Sequence, residues 1–143
     1  MKNYLYLLLF FSLSCQNDLT LTGESVIQIK GALIEIDSFY RSDRSNVLNI
    51  SEQQREVHRI SKEHGVRIAP LTLSQFVQFR ANTTNNANAI ITCSGTPTSI
   101  EIVDEGNGCF GLVRIYANGS SSISAYCRNN SGTLYYDGYY CYQ

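Results

Sequence analysis

Near residue 85 the apolar side chains of this 143-residue chain stop recurring every three or four positions and begin to alternate. Steps of three and four gather side chains on one face of a helix, and a step of two gathers them on one face of a strand. The change predicts an α+β chain in which N-terminal helices, over about 24–81, pack on a C-terminal antiparallel β-meander, over about 88–142. Charge divides the same way. From Cys15 onward there are twenty-two charged residues, and sixteen of them precede residue 86, eight of each sign. The 129 residues from Cys15 suffice for one domain, about 24–143, and are too few for two.

In the first part, Val26, Ile29, Leu33, Ile36 and Tyr40 keep the helical step, widened by Ile27, Ile34 and Phe39. They predict a core-facing helix over 24–42, with Glu24 suited to its positive end. Ser51-Glu52-Gln53-Gln54 has the capping-box pattern and predicts a second helix from Ser51 to about Gly65, mostly exposed, with only Val57 and Ile60 clearly apolar. After Pro70, residues 71–80 read as a short helix burying Leu73, Phe76 and Val77, although Phe76 and Val77 also suit a strand. The polar run 82–88 marks the boundary.

In the second part, strands are predicted at 89–94, 98–103, 109–117, 121–128, 133–137 and 138–142, separated by turns rich in Gly and Asn. Ile91, Cys93, Ile100, Ile102, Val113, Ile115, Ile123, Ala125 and Leu134 fall on one alternating face, expected to face the core. A three-residue loop at 118–120 keeps that face together, setting Val113 opposite Ala125 and Ile115 opposite Ile123. It also sets Cys127 opposite Gly111 and diagonal to Cys109. Seven of the ten tyrosines lie from Tyr116 onward. Alternation turns Tyr135 and Tyr140 outward and Tyr136 and Tyr139 inward. Tyr135, Tyr140 and Tyr142 form a candidate binding surface for a glycan or a protein, through stacking and hydroxyl hydrogen bonds. The alternative is that aromatic residues simply favour strands and flank a small core.

Five cysteines leave one over. Cys93, Cys109, Cys127 and Cys141 are spaced by 16, 18 and 14 residues. That is neither a redox pair nor a zinc-ligand spacing, so two disulfides in an oxidising compartment are expected. Cys109 with Cys127 and Cys93 with Cys141 is the preferred pairing of the three possible. The odd one is Cys15. It follows Lys2 and an apolar run, Tyr4 to Leu13, about half the roughly 20 residues that a membrane span needs. Residues 1–14 read as a secretory signal peptide.

The end of that segment, Leu13-Ser14-Cys15, resembles the lipobox of bacterial lipoproteins, over residues 1–15 only. Ser12 and Leu13 stand where such boxes usually carry Leu and a small or β-branched residue. The resemblance implies lipid on Cys15, a tether over 15–23, a membrane as partner and residence in the bacterial cell envelope. An ordinary signal-peptidase site, leaving Cys15 a plain thiol on a secreted protein, is the alternative.

Chemistry-bearing patterns are sparse. No basic patch is present that would neutralise several phosphates, so nucleic acid is not an expected partner. His58 and His64, six residues apart, do not share a helix face as a zinc pair would, and no metal or cofactor is expected. Glu101, Asp104 and Glu105 are acid–base or calcium candidates, read more simply as turn and edge charges. Gly106-Asn107-Gly108 precedes a strand, unlike a phosphate loop. The Asn-x-Ser/Thr sequons at Asn49, Asn82, Asn118 and Asn129 read as turns. No catalytic residue is assigned. A noncatalytic binding or structural module of the envelope is the expectation, and a small envelope or secreted enzyme or enzyme inhibitor is the alternative.

Overall fold

The computed structural model describes residues 23–83, 93 and 95–143. Their elements run α1 (Gly23–Arg41), α2 (Asp43–Val47), α3 (Ile50–Glu63), α4 (Leu73–Thr83), β1 (Ser99–Gly106), β2 (Cys109–Ile115), β3 (Ser121–Arg128) and β4 (Leu134–Tyr142). The strands form one antiparallel sheet in the order β1-β2-β3-β4. Helices followed by a meander is thus the observed architecture. The strand predicted at 89–94 lies outside the described residues, apart from Cys93.

α1 buries Ile29, Leu33, Ile36 and Tyr40 and half-buries Val26, the residues its spacing selects, whereas Ile27, expected to widen the stripe, is exposed toward the far side of the helix. α3 starts earlier than predicted. Asn49, not Ser51, is the cap: its Oδ1 accepts from the Glu52 amide at 3.0 Å, and the Glu52 carboxylate accepts from the Asn49 amide at 2.9 Å. A carboxylate closes the box more strongly than the neutral Gln54 expected to do so. The helix ends at Glu63 with His64 as its C-cap, and Gly65 just beyond stands at φ +66°. α4 is a helix, and its phase differs from the prediction. Thr72 and Gln75 cap it reciprocally, turning Phe76 and Phe79 into the core while Leu73 and Val77 are exposed.

The sheet corrects two expectations. The β2–β3 loop has three residues, but they are 117–119, closed by Tyr116 N donating to Ser120 O at 3.0 Å. Moving the loop by one residue moves the register by two: Val113 faces Ile123, Ile115 faces Ser121, and Cys109 faces Cys127 directly rather than diagonally. The second correction concerns the face. Ile100, Ile102 and Leu134 do point at the helices, but Val113, Ile115, Ile123 and Ala125 lie on the other side of the sheet. Phe110, Leu112, Arg114, Ser122, Ser124 and Tyr126 take the helix-facing positions and are buried. β2 is apolar on both faces, so alternation alone does not choose between them, and the partner of Arg114 on α1 does.

The core joins α1, α3 and α4 to Phe110, Tyr126 and Leu134 of the sheet. Residues 133–142, expected as two strands about a turn, form the single strand β4, with an irregularity opposite Ala125/Tyr126 that absorbs one extra residue. That bulge flips the alternation, so Tyr136 and Tyr139 both face inward while Tyr135 and Tyr140 both face outward.

Both expected disulfides are present, Cys109–Cys127 and Cys93–Cys141. Arg128 N donates to Gly108 O at 2.9 Å, which makes the neighbouring Cys109/Cys127 position a non-hydrogen-bonded pair, where facing side chains stand closest. Such bonds belong to an oxidising compartment, so the domain is extracytoplasmic.

Candidate functional site

The helices cover one face of the sheet and leave the other open. Across that open face run three cross-strand rows: Ser99, Ile115, Ser121 and Tyr142; Glu101, Val113, Ile123 and Tyr140; Val103, Gly111, Ala125 and Gly138. Val103, Ile115, Tyr140 and Tyr142 are 40–49% exposed, a high value for residues of this size. The centre is smooth because two of its positions are glycine. A Cβ on Gly138 would stand 3.2 Å from the Tyr140 hydroxyl, and one on Gly111 would stand 2.6 Å from a Glu105 carboxylate oxygen. Tyr140 and Glu105 therefore lie along the face from opposite sides. The result is an aliphatic strip edged by tyrosines and by the acids Glu101 and Glu105.

Tyr135, at the far end of β4, faces Cys127. It also lines a groove of about 670 Å³ with His58, Ser61, Lys62, Arg67 and Pro70. The tyrosines singled out in the sequence are thus all exposed but fall in two places, Tyr140 and Tyr142 on the strip and Tyr135 at the groove.

Behind the sheet lies a buried polar cluster that alternation missed. Arg114, fully buried, forms a two-pronged ion pair with Asp37 of α1: Nε donates to Oδ2 at 3.0 Å, and Nη2 donates to Oδ1. Its remaining donors reach Ser124 Oγ at 3.1 Å and Ser122 Oγ at 3.4 Å. Arg41 extends the cluster, 3.3 Å from Asp37 and donating to the Tyr116 hydroxyl at 3.0 Å. Burial opposes the Arg114 charge, and Asp37 outweighs it, so its pKa ends above the ordinary value. Every charge here is answered internally, the signature of a clasp between α1 and the sheet. The serines inward on β3 were the available signal: small hydroxyls leave room for a guanidinium and bond it.

The histidines do not build a catalytic cleft. His64 Nε2 is 2.9 Å from Glu35 Oε2, and its ring rests on Gly31 of α1. His58 is exposed, with Nδ1 2.8 Å from its own helix at Gln54 O. Among the described residues, neither ring is hydrogen-bonded to a hydroxyl or thiol. The His64 hydrogen bond, opposed by slight burial and helped by Arg59, holds the Glu35 carboxyl below its ordinary range. Glu101 and Asp104 point to opposite faces, and Asp104 Oδ1 accepts from Gly106 N at 2.8 Å to brace the turn. Among the described residues no group of three His, Cys, Asp or Glu stands close enough to hold a metal ion. Cys15 lies outside the described residues.

No protein-family model matches the chain, and it has no significant match among curated proteins or solved structures.

Proposed function

We propose that this protein is a noncatalytic recognition module of the bacterial cell envelope, tethered to a membrane by lipid on Cys15, whose open sheet face docks a protein partner. The observation that carries the reading is the aliphatic strip of Val103, Val113, Ile115 and Ile123, edged by Tyr140 and Tyr142 and covered by no element of the described chain. An apolar centre with an aromatic margin is the anatomy of a protein interface. Glu101 and Glu105 at the margin select a partner with Lys or Arg around its own apolar patch. Support for the tether comes from the lipobox-like residues 13–15 and from the pairing of the other four cysteines with one another.

The test places a photo-crosslinking residue at Ile115 in producing cells. A discrete protein adduct is expected that Tyr142→Asp abolishes and that a crosslinker at Arg55, on α3, does not yield. An adduct dispersed by glycosidase would identify a glycan instead. No adduct at Ile115, or one indifferent to Tyr142→Asp, would contradict the docking face.

A further inference from the structure

A second site stands apart from the sheet face, where Arg67 and Arg128 converge over Gly132. Arg128 is held from three sides. Its stem lies on Gly108, where a Cβ would stand 3.3 Å from its own; its guanidinium carbon is 6.0 Å from the Phe110 ring centre; and Nη1 donates to Gly132 O at 3.0 Å. Arg67, on the segment after α3, brings its Nη2 to 2.8 Å from where a Gly132 Cβ would be, and the same point is 4.0 Å from Arg128 Nη1. Gly132 sits at φ +80° and has no side chain to keep the two cations apart. Together with Gln28, Gly65 and Val66 they line a polar cleft of about 230 Å³. Among the described residues neither arginine has a carboxylate within ion-pair distance. Two like charges this close at a solvent-exposed cleft repel one another modestly, and an anion bound between them would turn that repulsion into attraction.

We propose that this cleft is an oxyanion site for a phosphate group. Two guanidiniums offer planar forks with donors left over, the geometry that phosphate oxygens accept, and their double charge matches a phosphate dianion better than a single carboxylate. The site lies beside the second turn of α1, whose first residue, Gly23, follows Cys15 by eight positions in the sequence. Those eight steps span at most roughly 28 Å when extended. The tether proposed above therefore holds the cleft within range of phospholipid headgroups, and the cleft itself rests on geometry independent of the sheet face.

The full chain, in uncharged detergent micelles and with isotope-labelled arginine, is titrated with inorganic phosphate at constant ionic strength and, separately, with chloride. Saturable movement of the Arg67 and Arg128 guanidinium Nε–H signals is expected with phosphate alone. Arg67→Gln or Arg128→Gln should weaken it about tenfold or more, and Arg55→Gln should leave it unchanged. Arg67 is exposed and its side chain makes no hydrogen bond among the described residues, so Arg67→Gln leaves the fold in place. Phosphatidylglycerol added to the micelles, with phosphatidylcholine as control, separates the sources. Displacement of phosphate by phosphatidylglycerol supports the site with a headgroup as its ligand, and phosphate binding without displacement supports it with a free phosphate compound. Equal responses to chloride and phosphate, or a phosphate response surviving both substitutions, would overturn the site.

Discussion

At the scale of single residues, Gly31 and Asp37 show how α1 meets its surroundings. A Cβ on Gly31 would stand 2.8 Å from Cε1 of His64 and 2.9 Å from its Nδ1. Gly→Ala inside a helix ordinarily stabilises by about 1 kcal/mol. Here Gly31→Ala must push the ring off Glu35, and we expect a net loss of about 1–3 kcal/mol in urea unfolding, relieved when His64→Ala is added. The same clasp gives a sign to acid stability. Because the folded Glu35 pKa is lowered, its contribution is complete above the ordinary glutamate range and is lost as pH falls through the lowered value. Glu35→Gln should flatten that acid limb. Asp37 and Arg114 behave differently because they are buried. Arg114→Met alone leaves Asp37 without its main partner and should cost about 3–5 kcal/mol, while the double change Arg114→Met with Asp37→Leu should recover most of the loss. Equal losses in the single and double variants would show that packing, not the ion pair, governs the site.

Among the elements, the sheet depends on its two bridges, which close loops of 18 and 48 residues. Replacing Cys109 and Cys127 by serine should lower stability by about 3 kcal/mol, and replacing Cys93 and Cys141 by about 4, on chain-entropy grounds. Calorimetry of the two double variants tests the order. The pairing was legible in the sequence because four cysteines on short strands have few ways to meet. The helices were legible too, since α1 carries one unambiguous apolar stripe. The sheet's faces were not. β2 is apolar on both sides, and β3 presents Ser122 and Ser124 inward, contrary to the rule that alternation ranks by hydrophobicity. Only the buried Asp37, contributed by another element, fixes which side faces in. Likewise the cap of α3 was misplaced because two overlapping boxes compete, and the one closed by a carboxylate prevails.

For the whole molecule, the tyrosines distinguish the covered side of the sheet from the open one. The chain has no Trp, so tyrosine dominates its near-ultraviolet absorbance. Burial pushes Tyr40 and Tyr136 up from 10 to about 12, and Tyr126, fully buried, higher still. The sign is clear: raised folded values mean that stability is complete below pH 10 and is lost as pH rises toward 12. Tyrosinate absorbance during an alkaline titration should show these rings ionising together with loss of circular dichroism, in one cooperative step. Gradual ionisation without unfolding would mean that the interior is open to solvent. On the open side, the apolar strip is the face on which the proposed partner of a tethered module would dock. The central claim joins that module to a membrane through Cys15, and the unreduced intact mass of the protein isolated from its membrane tests it most directly. The account predicts a chain beginning at Cys15, carrying acyl groups on that residue, and lighter by four hydrogens for its two disulfides. An N-terminus without lipid on Cys15, or a mature chain that retains free thiols at Cys93, Cys109, Cys127 and Cys141, would contradict it.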